Sequence, residues 1–230
     1  MKENFIHVCF IIDESGSMSG TESDIIGGFK KIIDEQKANK DGKCAVSLYK
    51  FASKVSKIYI GKDVNDVDYL DEKSYRPGGC TAMNDAIGTA IDEIGKWLDG
   101  MDEAEKPEKN LIVIMTDGEE NSSVEYSFDK VKEMIKHQEE KYSWSFMYLG
   151  TDITDASYAK SYGFNSRLYS TKKSLHKTYD MINTSINRYR SSVGSTDIKN
   201  AAFALNLQES IDSLNDAYEK EIGKKIINND

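Results

Sequence analysis

Cysteine, histidine and proline are scarce in this chain of 230 residues. The three cysteines, Cys9, Cys44 and Cys80, are odd in number and show no C-x-x-C spacing. That argues against a disulfide framework or a thiolate zinc site and fits a reducing cytosol. His7, His137 and His176 are too dispersed for a zinc cluster, and each reads as a surface or internally satisfied residue. No segment approaches the ~18 apolar residues that span a bilayer. The opening MKENFIHVCFIIDESG meets acid within a few residues of its apolar run, so it reads as a strand and not as a secretion signal. A cytoplasmic location and no membrane partner are therefore expected. Positive charge is short as well: 30 Lys and Arg face 39 Asp and Glu, a net charge of −9. That balance disfavours a nucleic-acid partner held through phosphate neutralisation. Pro77 and Pro107 both fall in predicted loops, and there is no repeat or low-complexity tract.

What the sequence does contain is a regular alternation. Short runs rich in β-branched and aromatic residues predict strands at Phe5 to Ile12, Cys44 to Phe51, Val55 to Ile60, Leu111 to Thr116, Trp144 to Leu149 and Arg167 to Tyr169. Helical spacing predicts helices at Ser23 to Asn39, Ala82 to Leu98, Phe128 to Glu140 and Asp155 to Tyr162. This is the pattern of an α/β fold, a doubly wound and mainly parallel sheet with helices on both faces. Strands two and three predict an antiparallel edge hairpin turning at Ser53 and Lys54. Residues 1–170 form the expected domain, and residues 171–230 a C-terminal helical extension packed on or beside it. The charge divides there too: residues 1–164 carry 20 basic against 31 acidic side chains, residues 165–230 carry 10 against 8. Leu207, Ile211, Leu214, Tyr218 and Ile222 form an apolar stripe in the last predicted helix.

Unusual polar residues gather at the carboxyl ends of three predicted elements: Asp13-x-Ser15-x-Ser17, Thr81 in RPGGCTAMNDAI, and Asp117 in LIVIMTDGEENSS. In an open α/β sheet the ligand crevice lies outside those ends, so the three loops are candidates for one site. Each also has an ordinary reading. Ser15 or Ser17 would cap the first helix, Thr81 the second, and Asp117-Gly118 would make a plain turn. Taken together, two acids and three hydroxyls form an oxygen-rich set of the kind that hard cations such as magnesium accept.

In this ordered combination the chain resembles the von Willebrand factor A domains with a complete metal-ion-dependent adhesion site, over roughly Phe5 to Tyr169. The resemblance implies a Rossmann-like fold and a Mg2+ or Mn2+ site with Ser15, Ser17 and Thr81 as hydroxyl ligands. Asp13 and Asp117 would hold the ion directly or through water. Cys80 departs from the small residue, frequently glycine, common at that position. The absence of a secretion signal makes the chain similar to the stand-alone intracellular members from bacteria and their viruses.

A cation held largely by neutral hydroxyls keeps much of its charge, so the resemblance implies a protein partner that donates an Asp or Glu carboxylate. Two other readings stand beside it. A metal-dependent phosphohydrolase would use Asp13 as nucleophile, but Ser15 replaces the paired acid and no lysine or histidine accompanies it in these loops. No catalytic residue is therefore expected. An assembly protein would act through the C-terminal helices, which would also carry any self-association. No nucleotide-binding glycine motif follows any strand, and KDVNDVDYLDE lacks the glycine and final acid of a calcium loop.

Overall fold

The computed structural model describes residues 2–150, 161–164, 166–169 and 175–191. Within them the chain runs β1 (Lys2–Asp13), α1 (Glu22–Ala38), β2 (Lys43–Phe51), β3 (Val55–Asp63), α2 (Met83–Asp99), β4 (Pro107–Thr116), α3 (Phe128–Tyr142), β5 (Ser145–Gly150), β6 (Ser166–Tyr169) and α4 (Leu175–Ser191). The strands form one sheet in the order β3-β2-β1-β4-β5-β6. Every neighbouring pair is parallel except β2 and β3, the expected edge hairpin. The strand order reverses between β1 and β4, so their carboxyl ends open a crevice.

Both central strands are buried on both faces. Ile6, Val8, Phe10 and Ile12 of β1 join Leu111, Val113 and Met115 of β4 in one apolar cluster, completed by α1 and α4. Cys9, Ile11, Ile112 and Ile114 point the other way, under α2 and α3. This period-two division is why their sequence reads as continuous apolar runs. α4 belongs to the first cluster: Tyr179, Ile182, Ile186 and Tyr189 are buried in it. Gly28 of α1 makes room for that contact, because a Cβ there would lie 2.1 Å from the Tyr179 ring. The Arg190 guanidinium fastens the far end of α4 to Gln36 Oε1 at 2.9 Å and the Asp41 carbonyl at 2.7 Å.

Pro107 does not sit in a loop as expected. It is the buried first residue of β4, where a missing N–H is tolerated. His7 lies wholly inside β1. Its Nδ1 meets Asn110 Oδ1 of β4 at 3.1 Å and its Nε2 meets Ser47 Oγ of β2 at 2.8 Å. The Ser47 oxygen in turn accepts the Gly61 N–H of β3 at 2.9 Å. Cys9 and Cys44 are buried free thiols and Cys80 an exposed one. No helix among the described residues is long and apolar enough to cross a membrane. The predicted helix over 155–162, apart from its last two residues, and the stripe over 207–222 lie outside the described residues.

Candidate metal centre

β1 ends at Asp13 and β4 at Thr116, next to each other at the reversal point. After Asp13 the chain makes a short 3-10 turn over Gly16–Met18 and enters α1 only at Glu22. Neither Ser15 nor Ser17 caps α1, so the ordinary reading of those serines does not hold. Thr81 does not cap α2 either, since no side chain at its N-cap position, Ala82, makes that bond. Glu120 and Ser123 take the role from the loop after β4. Glu120 Oε2 accepts the Asn84 N–H at 2.7 Å and Ser123 Oγ accepts the Asp85 N–H at 3.0 Å. The Thr81 hydroxyl is thereby released from helix capping, and those of Ser15 and Ser17 take no part in it.

All five predicted residues come together. The Ser15 N–H donates to Asp13 Oδ1 at 2.7 Å, the Ser15 and Ser17 hydroxyls are 3.0 Å apart, and Ser17 Oγ donates to Asp117 Oδ1 at 2.6 Å. Gly118 marks the centre of the group. A Cβ built on it would lie 3.2 Å from Ser17 Oγ, 3.2 Å from Thr81 Oγ1 and 3.7 Å from Asp13 Oδ2. Glycine keeps this oxygen-lined space open for a steric reason, not a conformational one. Asp13, Ser15 and Thr81 are buried, whereas Ser17 faces solvent. The centre therefore has a closed floor and one open side.

Burial pushes the Asp13 carboxyl up to about 6. Hydrogen bonds from Thr116 and Ser15 pull the other way, and the nearby Asp117 charge adds to the rise. The donors on its carboxylate are a hydroxyl and a backbone N–H, both neutral. A buried acid beside a second acid, with its charge unmatched by those donors, is an environment that a bound cation would relieve. The donor set is all oxygen, which fits a hard divalent ion. Among the described residues no three His, Cys, Asp or Glu side chains converge, so this is not a cage of soft or wholly anionic ligands.

Several supporting residues escaped the sequence. Thr116 Oγ1 donates to Asp13 Oδ2 at 2.6 Å, and the Tyr75 hydroxyl donates to the Asp13 carbonyl at 2.7 Å. Asn121 pairs with both backbone groups of Thr81: its Oδ1 accepts the Thr81 N–H at 2.9 Å and its own N–H reaches the Thr81 carbonyl at 3.0 Å. Buried Asp85 holds the same loop through the N–H groups of Val124, Glu125 and Tyr126 at 2.8–2.9 Å. The Gly16 N–H donates to the Gly79 carbonyl at 3.0 Å, fastening the loop of Thr81 to that of the serines. For Asn121 and Asp85 the only signal available was a polar residue four places from a motif residue.

Comparison with known proteins places the fold. The sequence model of the von Willebrand factor type A domain matches residues 7–147. A search of curated proteins found no match. Among solved structures, the vWF domain of the type V pili tip protein Mfa5 from Porphyromonas gingivalis superposes with a TM-score of 0.62 at 11% identity. That match covers 84% of this chain and 98% of the other. Proximal thread matrix protein 1 from the mussel byssus superposes at 0.55 and 16% identity over 80% of this chain. This chain spans about half of the mussel protein, 47% of its length. A further structure of that mussel protein has a zinc-occupied MIDAS motif, with a TM-score of 0.54, 16% identity, and coverage of 80% and 46%. At these identities the likeness speaks for the fold.

Proposed function

The chain belongs to the von Willebrand factor type A domain family, and from that premise we propose that it is a metal-dependent protein-binding module. In this reading Asp13, Ser15, Ser17, Thr81 and Asp117 hold a magnesium or manganese ion that takes a carboxylate from a partner protein. The carrying observation is the space at Gly118, lined by Ser17, Thr81 and Asp13 oxygens and open on the Ser17 side. A bound divalent ion would supply a positive centre with a position left for an outside oxygen. The chain's own part is to place and dry that position. Asp13 is buried and held by Thr116 and the Ser15 N–H, Thr81 is fixed through Asn121, and Ser17 stays at the surface. The zinc-bearing MIDAS of the mussel protein supports a divalent ion for loops of this type.

The module has no turnover of its own in this reading. No lysine or histidine lies in the loops of Asp13–Asp24 or Asp117–Ser127 to act as acid or base beside the oxygens. Residues 1–170 carry the binding function, with 171–230 as an extension. A reducing, cytoplasmic setting belongs to the same reading and is supported by three free thiols. The assembly reading gains nothing from Tyr179, Ile182, Ile186 and Tyr189 of α4, which lie inside the molecule.

Calorimetric titration of the chelator-stripped protein with magnesium and manganese tests the metal. Saturable binding that is lost in Asp13→Ala and Asp117→Ala is the expected result, and capture of a partner from native lysate should depend on magnesium and reverse with EDTA. Folded protein that takes up neither ion would end this reading.

A further inference from the structure

The rim of the centre carries charge that the five cradle residues do not account for. The loops Asp13–Asp24 and Asp117–Ser127 hold eight acids and no basic residue. Six of the eight are engaged or otherwise placed. Asp13 and Asp117 line the cradle, and Glu14 pairs with Lys50 at 2.9 Å. Glu120 accepts from Asn84, Ser122 and Ser123, and Glu22 from the Gly20 N–H at 2.8 Å. Asp24 sits half-buried in the first turn of α1. Glu119 and Glu125 differ: both are exposed, and neither side chain bonds to any described residue. Glu119 directly follows the glycine at the centre of the cradle.

The loop that carries these two residues is held at its backbone. Asp85 grips the N–H groups of Val124, Glu125 and Tyr126, Asn121 is tied to Thr81, and Glu120 is tied to the start of α2. Val124 stands out from this held loop at 90% exposure. Arg76 is exposed, with its Nε turned back to the Glu72 carbonyl at 3.2 Å. A divalent ion in the cradle would draw a carboxylate to itself, while beside it on the 117–127 side the exposed charges that an arriving ligand meets are those of Glu119 and Glu125. Charge held at a rim selects partners and steers their approach more than it adds affinity.

Resting on the metal-bridged docking proposed above, we infer that the partner segment carries its metal-directed acid next to a lysine or arginine, which pairs with Glu119. An acid-rich segment is turned away by the same charge. The partner is therefore a protein segment of mixed charge, not an acidic tail, although the metal itself attracts a carboxylate. Exposed pairs of this kind are modest, so replacing the basic neighbour by an uncharged residue should weaken binding roughly three- to fivefold, and the preference should fade at high salt.

The test pans a phage-displayed library of random short peptides on the full chain in magnesium and elutes with EDTA. Wild-type protein should return acidic residues flanked by Lys or Arg. Glu119→Lys, which leaves the cradle oxygens intact, should return acidic residues without basic neighbours or with acidic ones, while its magnesium affinity in calorimetry stays within about twofold of wild type. An EDTA-eluted pool with no basic enrichment, or the same enrichment in Glu119→Lys, overturns this inference and leaves the docking reading standing. A pool that EDTA does not elute, from protein that folds, sinks both.

Discussion

The hydroxyl of Thr116 donates to Asp13 Oδ2 at 2.6 Å, across the point where the strand order reverses. One strand end thereby sets the direction of the acid on the next. The same oxygen of Thr116 accepts the Gly118 N–H at 3.1 Å, so a single hydroxyl fixes both the buried acid and the glycine that leaves the cradle open. Thr116→Val keeps the shape and removes the hydroxyl. The Asp13 carboxylate then loses a buried donor, which costs about 1–3 kcal/mol of stability. Magnesium affinity should fall by about tenfold, in line with the loss of a support behind a metal ligand. Urea unfolding and calorimetric titration of the two proteins measure both effects, and unchanged affinity would show that Asp13 needs no such support.

Thr81→Val separates holding the ion from taking up the partner. Because Thr81 makes no helix cap, its replacement should cost little stability, less than about 1 kcal/mol. The other four oxygen ligands remain, so magnesium affinity should drop less than affinity for a magnesium-dependent peptide. Equal loss of the two affinities would make Thr81 a simple ligand with no special part in docking.

Acid sensitivity should trace in part to His7. Burial lowers its pKa from 6.5 to about 4, and the contact with Asn110 offsets only part of that. The folded chain thus holds a neutral imidazole where the unfolded chain takes up a proton. Stability from this residue is complete above pH 6.5 and is lost as pH falls through about 4, at most about 3 kcal/mol. Urea midpoints at several pH values between 7 and 4 should fall more steeply for wild type than for His7→Gln. Parallel slopes would show that His7 is charged in the folded protein or titrates normally.

Gly28→Ala should drive a methyl group into the Tyr179 ring and destabilise the chain by about 1–3 kcal/mol. In a Tyr179→Leu background the same change should cost less, because the opposing ring is gone. Thermal unfolding of the four proteins closes the cycle, and additive effects would mean that α1 and α4 do not meet there.

The parts of this molecule that were legible in the sequence share one property: their chemistry repeats or contrasts locally. β1 and β4 are apolar on both faces, so each stands out as an unbroken run. Asp13, Ser15, Ser17 and Asp117 follow such runs directly, which sets them apart from ordinary loop residues. Thr116 was hidden because a threonine at the end of a strand reads as strand. Asn121, Glu120 and Asp85 were hidden because a polar loop residue looks the same whether it meets water or a backbone N–H. α4 was harder still. Tyr179, Ile182, Ile186 and Tyr189 lie at three- and four-residue spacing, but the lysines and arginines among them mask the stripe, and the segment reads only as part of a C-terminal helical extension. Pro107 misled in the other direction, since its tolerance at a strand's first position depends on the strand beside it.

The row from Asn110 through His7 and Ser47 to the Gly61 N–H crosses four adjacent strands, β4, β1, β2 and β3. Apolar neighbours can slide by two residues and still present similar surfaces. A polar row cannot, because any slip would leave an imidazole, an amide oxygen and a hydroxyl buried without partners. Four of the six strands are thus keyed like a lock at their lower end, and the alignment that brings Asp13 and Thr116 together at the upper end is specified some six residues below them, at His7.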